Sequence, residues 1–297
     1  MPTIYIDIIG FSFGIYVAEA LKYIIKKNGY KCEIIKTKKH FKQIKNSPII
    51  VFSGSWINLD VFSDMNKVIY YNTEPVYLRK ELLTELNKAK YIWEFSNINA
   101  KFLIDNNVKF TYVPFGYSPV YESLYQQNIK NVSHTKGEKE SKAIDLFFYG
   151  STSTRRQELL TRMDNLNEFK LVHGKYFDKE RDELIAKSKI VLVIHNRSLL
   201  ESHTDDLFRI SYLIANKIFI IHEYTQDTKM DEELEKHIVM CKYDDMIDVC
   251  RLWLNKSDEE RDKVCNEAYE WFKNTYSYEK LIPIDHIHQI ADNQNNG

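Results

Sequence analysis

Two hydrophobic patterns alternate along the first part of the chain. Short, continuous apolar runs such as residues 4–9 are typical of strands buried on both faces of a parallel sheet. Between these runs, apolar residues recur at helical spacing, as in residues 15–27, which end at Asn28-Gly29, a common helix stop. The pattern predicts strands at residues 4–9, 31–35, 48–52, 68–71, 91–95 and 110–113, and helices at residues 15–27, 76–87 and 97–105.

The same alternation restarts after a polar stretch. Residues 126–142 are charged and show no periodicity, so we predict a linker or a long exposed loop there. Beyond it, the pattern predicts strands at residues 144–149, 169–173, 190–194, 218–222 and 238–241. Helices are predicted at residues 154–163, 179–187, 206–215, 244–254 and 258–274.

Strands that alternate with helices form parallel βαβ units, which predicts an α/β fold with two Rossmann-like, doubly wound sheets. We assign residues 1–125 to the first domain, 143–274 to the second and 275–297 to a C-terminal tail. Such sheets bind ligands at the carboxyl ends of their strands, so we expect a site in a cleft between the two domains. Several enzyme classes share this arrangement, and function therefore depends on the residues at the strand ends.

Composition and charge narrow the function further. The hydrophobic fraction of 44% over 297 residues is enough for two buried cores. The 41 basic residues are balanced by 42 acidic ones, so nothing attracts the whole chain to nucleic acid or to anionic membranes. No apolar run approaches the ~20 residues that span a bilayer, and the amino-terminal run lacks the features of a signal peptide. We expect a cytoplasmic protein.

The cysteines and histidines do not predict a metal centre. Cys32, Cys241, Cys250 and Cys265 form no Cys-x-x-Cys pair, and their apolar or amphipathic surroundings predict buried thiols. The segment 195–206 contains histidine and aspartate, but their spacing matches no metal-binding motif. We therefore predict no metal and no resident cofactor.

The strongest chemical signal is Tyr149-Gly150-Ser151-Thr152-Ser153-Thr154-Arg155-Arg156, where a predicted strand meets a predicted helix. Gly150 permits close approach to the backbone, Ser151 and Thr152 offer hydroxyls, and the helix amino terminus attracts anions. The guanidinium groups of Arg155 and Arg156 suit phosphate oxygens. The alternative is a Ser/Thr helix cap with solvated arginines. The segment lacks the Gly-Lys-Ser/Thr ending of a Walker A loop.

Polar residues also follow other predicted strands. His195, Asn196, Glu201, Asp206 and Arg209 come after the strand at residues 190–194 and suit recognition of a ribose, a diphosphate or a sugar, although Asp206 is equally suited to capping a helix. In the first domain, Asn72-Thr73-Glu74-Pro75 ends a strand. Glu74 is a candidate base or acceptor contact, with a helix-entry acid as the alternative.

Taken in chain order, these segments resemble GT-B glycosyltransferases of bacteria and large DNA viruses, related to CgeB-like and family 1-type proteins. The likeness covers about residues 70–223, and it is specific because loosely matching segments follow one another in the expected order. These segments are Tyr70-Tyr71-Asn72-Thr73-Glu74-Pro75, Trp93-Glu94-Phe95-Ser96 with Asn99, Val113-Pro114-Phe115-Gly116-Tyr117-Ser118, Asp145 through Arg156, Arg181-Asp182-Glu183-Leu184-Ile185, the strand into His195, and Arg209-Ile210-Ser211-Tyr212-Leu213-Ile214-Ala215-Asn216.

The resemblance implies a GT-B fold and transfer of a sugar from a UDP-, GDP- or TDP-sugar to a hydroxyl of a glycan or other acceptor, without an obligatory metal. The second domain would hold the donor, with Gly150, Ser151, Arg155 and Arg209 at the diphosphate. The last helix, at residues 258–274, and the tail would pack on the first domain. Glu74 would be the base of an inverting enzyme. The other candidates are His195 for catalysis; Thr152, His173, Gly174, Asn196, Glu201, Asp206 and Tyr212 for the donor; and Gly10, Ser12, Gly14, Trp56 and Asn72 for the acceptor.

One departure leaves the stereochemical outcome open. Retaining GT-B enzymes often carry a Glu-x7-Glu motif, and Tyr212 stands where the second glutamate is expected. A non-catalytic nucleotide-sugar-binding or glycan-binding protein of the same fold is therefore the alternative. A nicotinamide oxidoreductase is more distant, because the turn from Gly10 to Gly14 lacks the full Gly-x-Gly-x-x-Gly spacing.

Overall fold

The computed structural model describes residues 2–10, 14–37, 39, 44–53, 59–76, 82–130, 142–196 and 207–292. The chain divides into two compact units, one of Met1–Gly116 with Tyr276–Gly297 and the other of Tyr117–Thr275. Each unit is built on one parallel sheet whose strands are connected largely through helices. The α/β fold class predicted from the hydrophobic pattern is confirmed.

The first unit contains a six-stranded sheet in the order β2-β1-β3-β4-β5-β6. This order extends in both directions from β1, as in doubly wound folds. β3 and β4 are buried along their whole length, which explains their continuous apolar runs. The strands are β1 (Thr3–Asp7), β2 (Lys31–Ile35), β3 (Ile49–Phe52), β4 (Val68–Asn72), β5 (Tyr91–Glu94) and β6 (Thr111–Tyr112), and the helices are α1 (Ile15–Lys27), α2 (Leu82–Leu86) and α3 (Asn97–Asp105).

The second unit contains a five-stranded sheet in the order β11-β10-β9-β7-β8. Its elements, in chain order, are α4 (Pro119–Ile129), β7 (Ile144–Tyr149), α5 (Thr154–Leu166), β8 (Leu171–Gly174), α6 (Asp178–Ala186), β9 (Ser188–Val193), α7 (Leu207–Ala215), β10 (Ile220–Glu223), α8 (Thr228–Leu234), β11 (Val239–Cys241), α9 (Met246–Leu254) and α10 (Asp258–Thr275). The short α8 was not predicted. It begins at Asp227, whose carboxylate accepts a hydrogen bond from Met230 N.

Two predicted boundaries need correction. The first unit ends at Gly116 instead of residue 125, and residues 126–129 are helical instead of forming a linker. They belong to α4, which is capped by Ser118 and begins with Pro119. Tyr121, Tyr125 and Ile129 form its buried stripe. The last turn of this helix runs into the polar stretch, which concealed the helix in the sequence pattern, and residues 131–141 lie outside the described part of the chain.

The C-terminal residues pack on the first unit through α11 (Tyr278–Leu281) and α12 (Ile284–Asp292). The helix predicted at residues 258–274, which is α10, belongs to the second unit instead. The imidazole of His286 stacks on Tyr91 with a centroid distance of 3.8 Å, and its Nδ1 accepts a hydrogen bond from Trp93 Nε1 at 3.1 Å. Tyr30 and His288 form a second contact at 2.5 Å. Ring stacking and hydrogen bonds therefore anchor these helices to the sheet.

Acid should weaken this anchor through His286. Burial lowers the pKa of His286 below its usual value, because it penalises the imidazolium form. The unfolded chain takes up this proton near pH ~6.5, where the folded protein still holds the neutral imidazole, so stability is lost as the pH falls below that value. In His286→Gln, where an amide oxygen still accepts from Trp93 but does not titrate, thermal denaturation should show a shallower loss between about pH 7 and about pH 5. Parallel curves for the two proteins would contradict this.

Candidate functional site

The turn after β7 brings a backbone and a cation into contact. Gly150 has φ +145°, a conformation that favours glycine, and its N–H donates to Gly174 O at 2.9 Å. A Cβ atom at Gly150 would lie 3.2 Å from Nη2 of Arg209, whose guanidinium also lies 4.9 Å from the ring centroid of Tyr149. The turn therefore places Arg209, from α7, directly against the main chain at the carboxyl end of β7.

Exposed hydroxyls lie between this turn and the start of α5. Ser151 and Thr152 are exposed, and Ser153 caps the helix by accepting a hydrogen bond from Arg156 N at 3.3 Å. Helix amino termini attract anions because their amide dipoles align. Hydroxyl donors, a helix start and Arg209 together form an anion-attracting edge on the second sheet.

Arg156 cross-links two strand ends instead of facing a ligand. It is buried, and its Nε and Nη2 donate to Ile194 O at 2.8 and 2.6 Å. Its Nη1 donates to Ser151 O at 2.8 Å. The solvated arginine considered above is thus a structural clamp between the loop after β7 and the end of β9.

Arg155 forms an ion pair that the sequence did not reveal. Its Nη1 donates to Glu223 Oε2 at 2.9 Å and to His195 O at 3.1 Å, and its Nη2 contacts the other oxygen of Glu223. The guanidinium also stacks on Tyr243 at 3.8 Å. A diphosphate would have to compete with Glu223 for Arg155, so this contact stays a prediction. The sequence feature that could have identified Glu223 is its position as an acidic residue directly after the strand predicted at residues 218–222.

The hydrogen bonds of His195 restrict its chemistry. Its main-chain N donates to Glu223 Oε2 at 2.9 Å, and its Nε2 lies 3.0 Å from Glu223 O. A carbonyl oxygen only accepts, so Nε2 carries a hydrogen and does not accept a substrate proton in this arrangement. The neighbouring His222 is fully buried, and its pKa is lowered well below the usual value, first by burial and then by its electrostatic interactions with His195 and Arg209.

Tyr212 belongs to a buried cluster instead of an open donor pocket. Its hydroxyl donates to Asp182 Oδ2 at 2.8 Å, and Asn128 Nδ2 donates to the same oxygen at 2.7 Å. Arg181, from α6, donates to Asp182 Oδ1 at 2.8 Å. Asp182 is fully buried and Tyr212 nearly so. The residue at the position of the expected glutamate thus joins α4, α6 and α7.

The remaining donor candidates are dispersed. The imidazole of His173 contacts Asp164 Oδ2, near the end of α5, at 2.9 Å. Gly174 contributes its carbonyl to that turn, and Asn196 is exposed next to His195. Glu201 and Asp206 lie outside the described residues.

In the first unit, the loop after β4 is held by amides. Asn72 is buried, and its Nδ2 donates to Glu74 O at 3.0 Å, so it holds the loop rather than an acceptor. Glu74 is half-buried. Gly10 has φ +79° and Gly14 directly precedes α1, whereas Ser12 and Trp56 lie outside the described residues. The structure therefore does not gather the acceptor candidates into one described cluster.

Two absences concern only the described part of the chain. No group of three or more His, Cys, Asp or Glu side chains is arranged there to hold a metal ion. In the same residues, no helix has the length and hydropathy needed to cross a membrane. The four cysteines are free and buried, as predicted.

Comparison with known proteins adds a distant sequence relative. No model of a known protein family matches the sequence. An uncharacterized protein of Acanthamoeba polyphaga mimivirus is 30% identical over 152 residues, which are 50% of this chain and 51% of that protein. The match thus spans about half the length of this curated relative.

Solved structures define the class of fold. Sucrose-phosphate synthase from Thermosynechococcus elongatus matches over 99% of both chains, with a TM-score of 0.62 at 10% identity. Anabaena HepE in complex with UDP and glucose matches over 100% of both chains, with a TM-score of 0.62 at 10% identity. An α-glucosyltransferase in complex with UDP-glucose and DNA containing an abasic site matches over 97% of this chain and 98% of that chain, with a TM-score of 0.64 at 10% identity.

Two of these neighbours are complexes with UDP and glucose or with UDP-glucose. The chain has their fold, the GT-B fold of glycosyltransferases, as the resemblance implied.

Proposed function

We propose that the chain is a glycosyltransferase that moves a sugar, such as a hexose, from a nucleoside-diphosphate-sugar to a hydroxyl of a glycan or small-molecule acceptor, without a metal or resident cofactor. The observation that carries the proposal is the contact between Arg209 and the Gly150 turn at the start of α5. The GT-B fold supports it, because the similar structures include enzymes bound to UDP-glucose. We assign the donor to the second unit and the acceptor to the first.

The chemistry requires stabilisation of a leaving diphosphate. When the bond from the anomeric carbon to the diphosphate oxygen breaks, negative charge grows on that oxygen. This charge can be stabilised by hydrogen-bond donors at the site, which are Arg209, the amino terminus of α5 and the hydroxyls of Ser151 and Thr152. Such preorganised donors stabilise the leaving diphosphate as a metal ion does in other enzymes. Glu74 remains the proposed base for an inverting reaction.

Nucleotide binding provides the first test. We would measure thermal denaturation with UDP, GDP or TDP and their sugar conjugates. The nucleotides of one base should stabilise the protein by ~2.7 kcal/mol when the nucleotide concentration is ~100 times its dissociation constant. EDTA should leave this shift unchanged. Absence of a shift with every nucleotide, or loss of the shift in EDTA, would contradict the proposal.

Arg209→Gln should weaken this binding about 10- to 150-fold, because a charge-assisted hydrogen bond contributes ~1.5–3 kcal/mol. Titration of both proteins with the same nucleotide measures the difference. Arg162→Gln, on the exposed face of α5, is the matched control and should bind like the wild type. Equal affinities for all three proteins would show that Arg209 does not contact the donor.

One observation favours a second function. α7 contains no glutamate, and Tyr212, which stands at the expected position, donates its hydroxyl hydrogen to Asp182. A nucleotide-sugar-binding protein without turnover fits this arrangement. Slow hydrolysis of a bound donor, or transfer to any acceptor, would exclude it. Tight donor binding without either reaction would favour it over the transferase.

A further inference from the structure

A carboxylate is buried at the carboxyl end of the first sheet. Glu94 ends β5, is fully buried, and pairs in register with Asn72, the last residue of β4. Burial of a carboxylate is costly unless donors surround it, so each of its hydrogen bonds bears on its role.

Two side-chain amides donate to this carboxylate. Asn72 Nδ2 lies 2.5 Å from Glu94 Oε2, and Asn99 Nδ2 lies 3.0 Å from Oε1. Ser96 N also donates to Oε1, at 2.9 Å. Every one of these partners is a donor, which is the set that an acceptor-only carboxylate requires.

The same amides hold the main chain of Glu74. Both Nδ2 groups also donate to Glu74 O, at 3.0 Å from Asn72 and 2.8 Å from Asn99. Their oxygens accept from backbone N–H groups, from Glu74 at 3.3 Å and from Val76 at 3.1 Å. Rotating either amide by half a turn would set its NH2 group against a backbone N–H, so both orientations are determined. Both amides must therefore present donors to Glu94.

We propose that Glu94 is a positioning residue that anchors Asn72 and Asn99 in place and thereby fixes the backbone from which Glu74 faces the acceptor. The proposal rests on the proposed function, in which Glu74 is the base. A gap of about one ångström between a base and its hydroxyl is enough to lower a rate ~100-fold, so a rigid loop matters to Glu74.

The hydrogen-bond donors around Glu94 favour its ionised form, whereas burial opposes that form. Burial raises the pKa of Glu94 to about 8, against the opposing effect of its hydrogen-bond donors. The pKa of Tyr71 is raised mainly by its own burial, then by Tyr278, and in smaller part by Glu94. Glu74, on the loop itself, is the other titratable group that the network holds.

The test is Glu94→Gln in the full chain, because glutamine keeps the shape but turns one NH2 group toward an amide donor. We expect kcat to fall ~100-fold, while the KM for the donor and the nucleotide-induced thermal shift stay unchanged. Tyr71→Phe is the control for destabilisation of the same sheet, since it removes the hydrogen bonds of the Tyr71 hydroxyl, to Val113 O and with Tyr278, and leaves the amides of Asn72 and Asn99 in place. It should keep kcat within about threefold. An unchanged kcat in Glu94→Gln, or an equal loss in Tyr71→Phe, would overturn the proposal.

Amide hydrogen exchange separates this proposal from the proposed function. Exchange of the N–H groups of Glu74 and Val76 should be faster in Glu94→Gln than in Tyr71→Phe, whether or not the wild type transfers sugar. If the wild type binds no donor, the proposed function fails, and exchange alone decides on the positioning network. Unchanged exchange at these two amides would sink it. Glu94→Asp, which keeps the charge but withdraws it by one methylene, should show intermediate exchange and replaces Glu94→Gln if that variant does not fold.

Discussion

Replacing Asp182 by alanine is expected to lower the free energy of unfolding by about 3–5 kcal/mol, the usual cost of removing one member of a buried ion pair. Asp182 is fully buried, and Arg181 beside it is largely buried, with a side-chain exposure of 12%. The substitution would leave Arg181, Asn128 and Tyr212 without their common acceptor. Urea denaturation followed by circular dichroism measures the loss.

Tyr212→Phe is the matched comparison for this variant. It removes one donor to the carboxylate and keeps the ion pair, so it should cost about 1.5–3 kcal/mol. Asp182→Asn should lie between wild type and alanine, because its amide retains one acceptor. If Asp182→Ala proved no less stable than Tyr212→Phe, the cluster would not hold α4, α6 and α7 together as we infer.

Gly116→Ala is expected to cost about 3 kcal/mol, at the upper end of the usual range for overpacking. A Cβ atom there would lie 2.3 Å from Tyr276 O and 2.7 Å from Leu281 Cδ1. The first of these is a main-chain atom just before α11, so relief of the overlap requires the backbone to move. We expect a melting temperature lowered by about 6–12 °C, using the scaling for chains of ~150–250 residues.

Gly29→Ala separates steric overlap from backbone strain. Gly29 has φ +88°, but nothing lies within 4 Å of the position of an added Cβ. Its substitution should cost only about 1–2 kcal/mol, the penalty for an L-residue in the left-handed region. Equal losses for the two glycine variants would mean that the contact with Tyr276 does not limit Gly116.

Two glycines show which structural requirements can be predicted from the sequence and which cannot. The segment Val113-Pro114-Phe115-Gly116-Tyr117-Ser118 carried part of the family resemblance, but the reason for glycine became visible only from the position of Tyr276. Likewise, Gly150 was predicted as a turn that approaches a ligand, and its φ of +145° agrees with a need for glycine. A local backbone requirement leaves a mark in the sequence, whereas the neighbour that imposes a steric limit does not.

The charged residues were harder to interpret, because their partners are remote in the chain. Arg155 was predicted to face a diphosphate, yet it lies against Glu223, which is 68 positions away. Tyr212 was interpreted from its place in a motif, yet its hydroxyl donates a hydrogen bond to Asp182, which lies on another helix. Glu94 was considered only as part of a motif, and it is connected to the Glu74 loop through hydrogen bonds from Asn72 and Asn99. Whether two polar groups pair depends on the distance between them in space, which their separation along the sequence does not reveal.

The sequence by itself determined the strands of both sheets, most of the helices, the α/β class and the strand ends at which polar residues collect, because burial on both faces of a parallel strand requires an apolar run whatever its neighbours are. It also carried the resemblance that implied the GT-B fold. Only the tertiary structure decided that α4 belongs to the second unit, that Arg156 is a clamp, and that Arg209 lies against the Gly150 turn. Those outcomes depend on which strand ends become neighbours, and hydrogen bonds and ion pairs act only over a few ångströms between groups that folding has brought together.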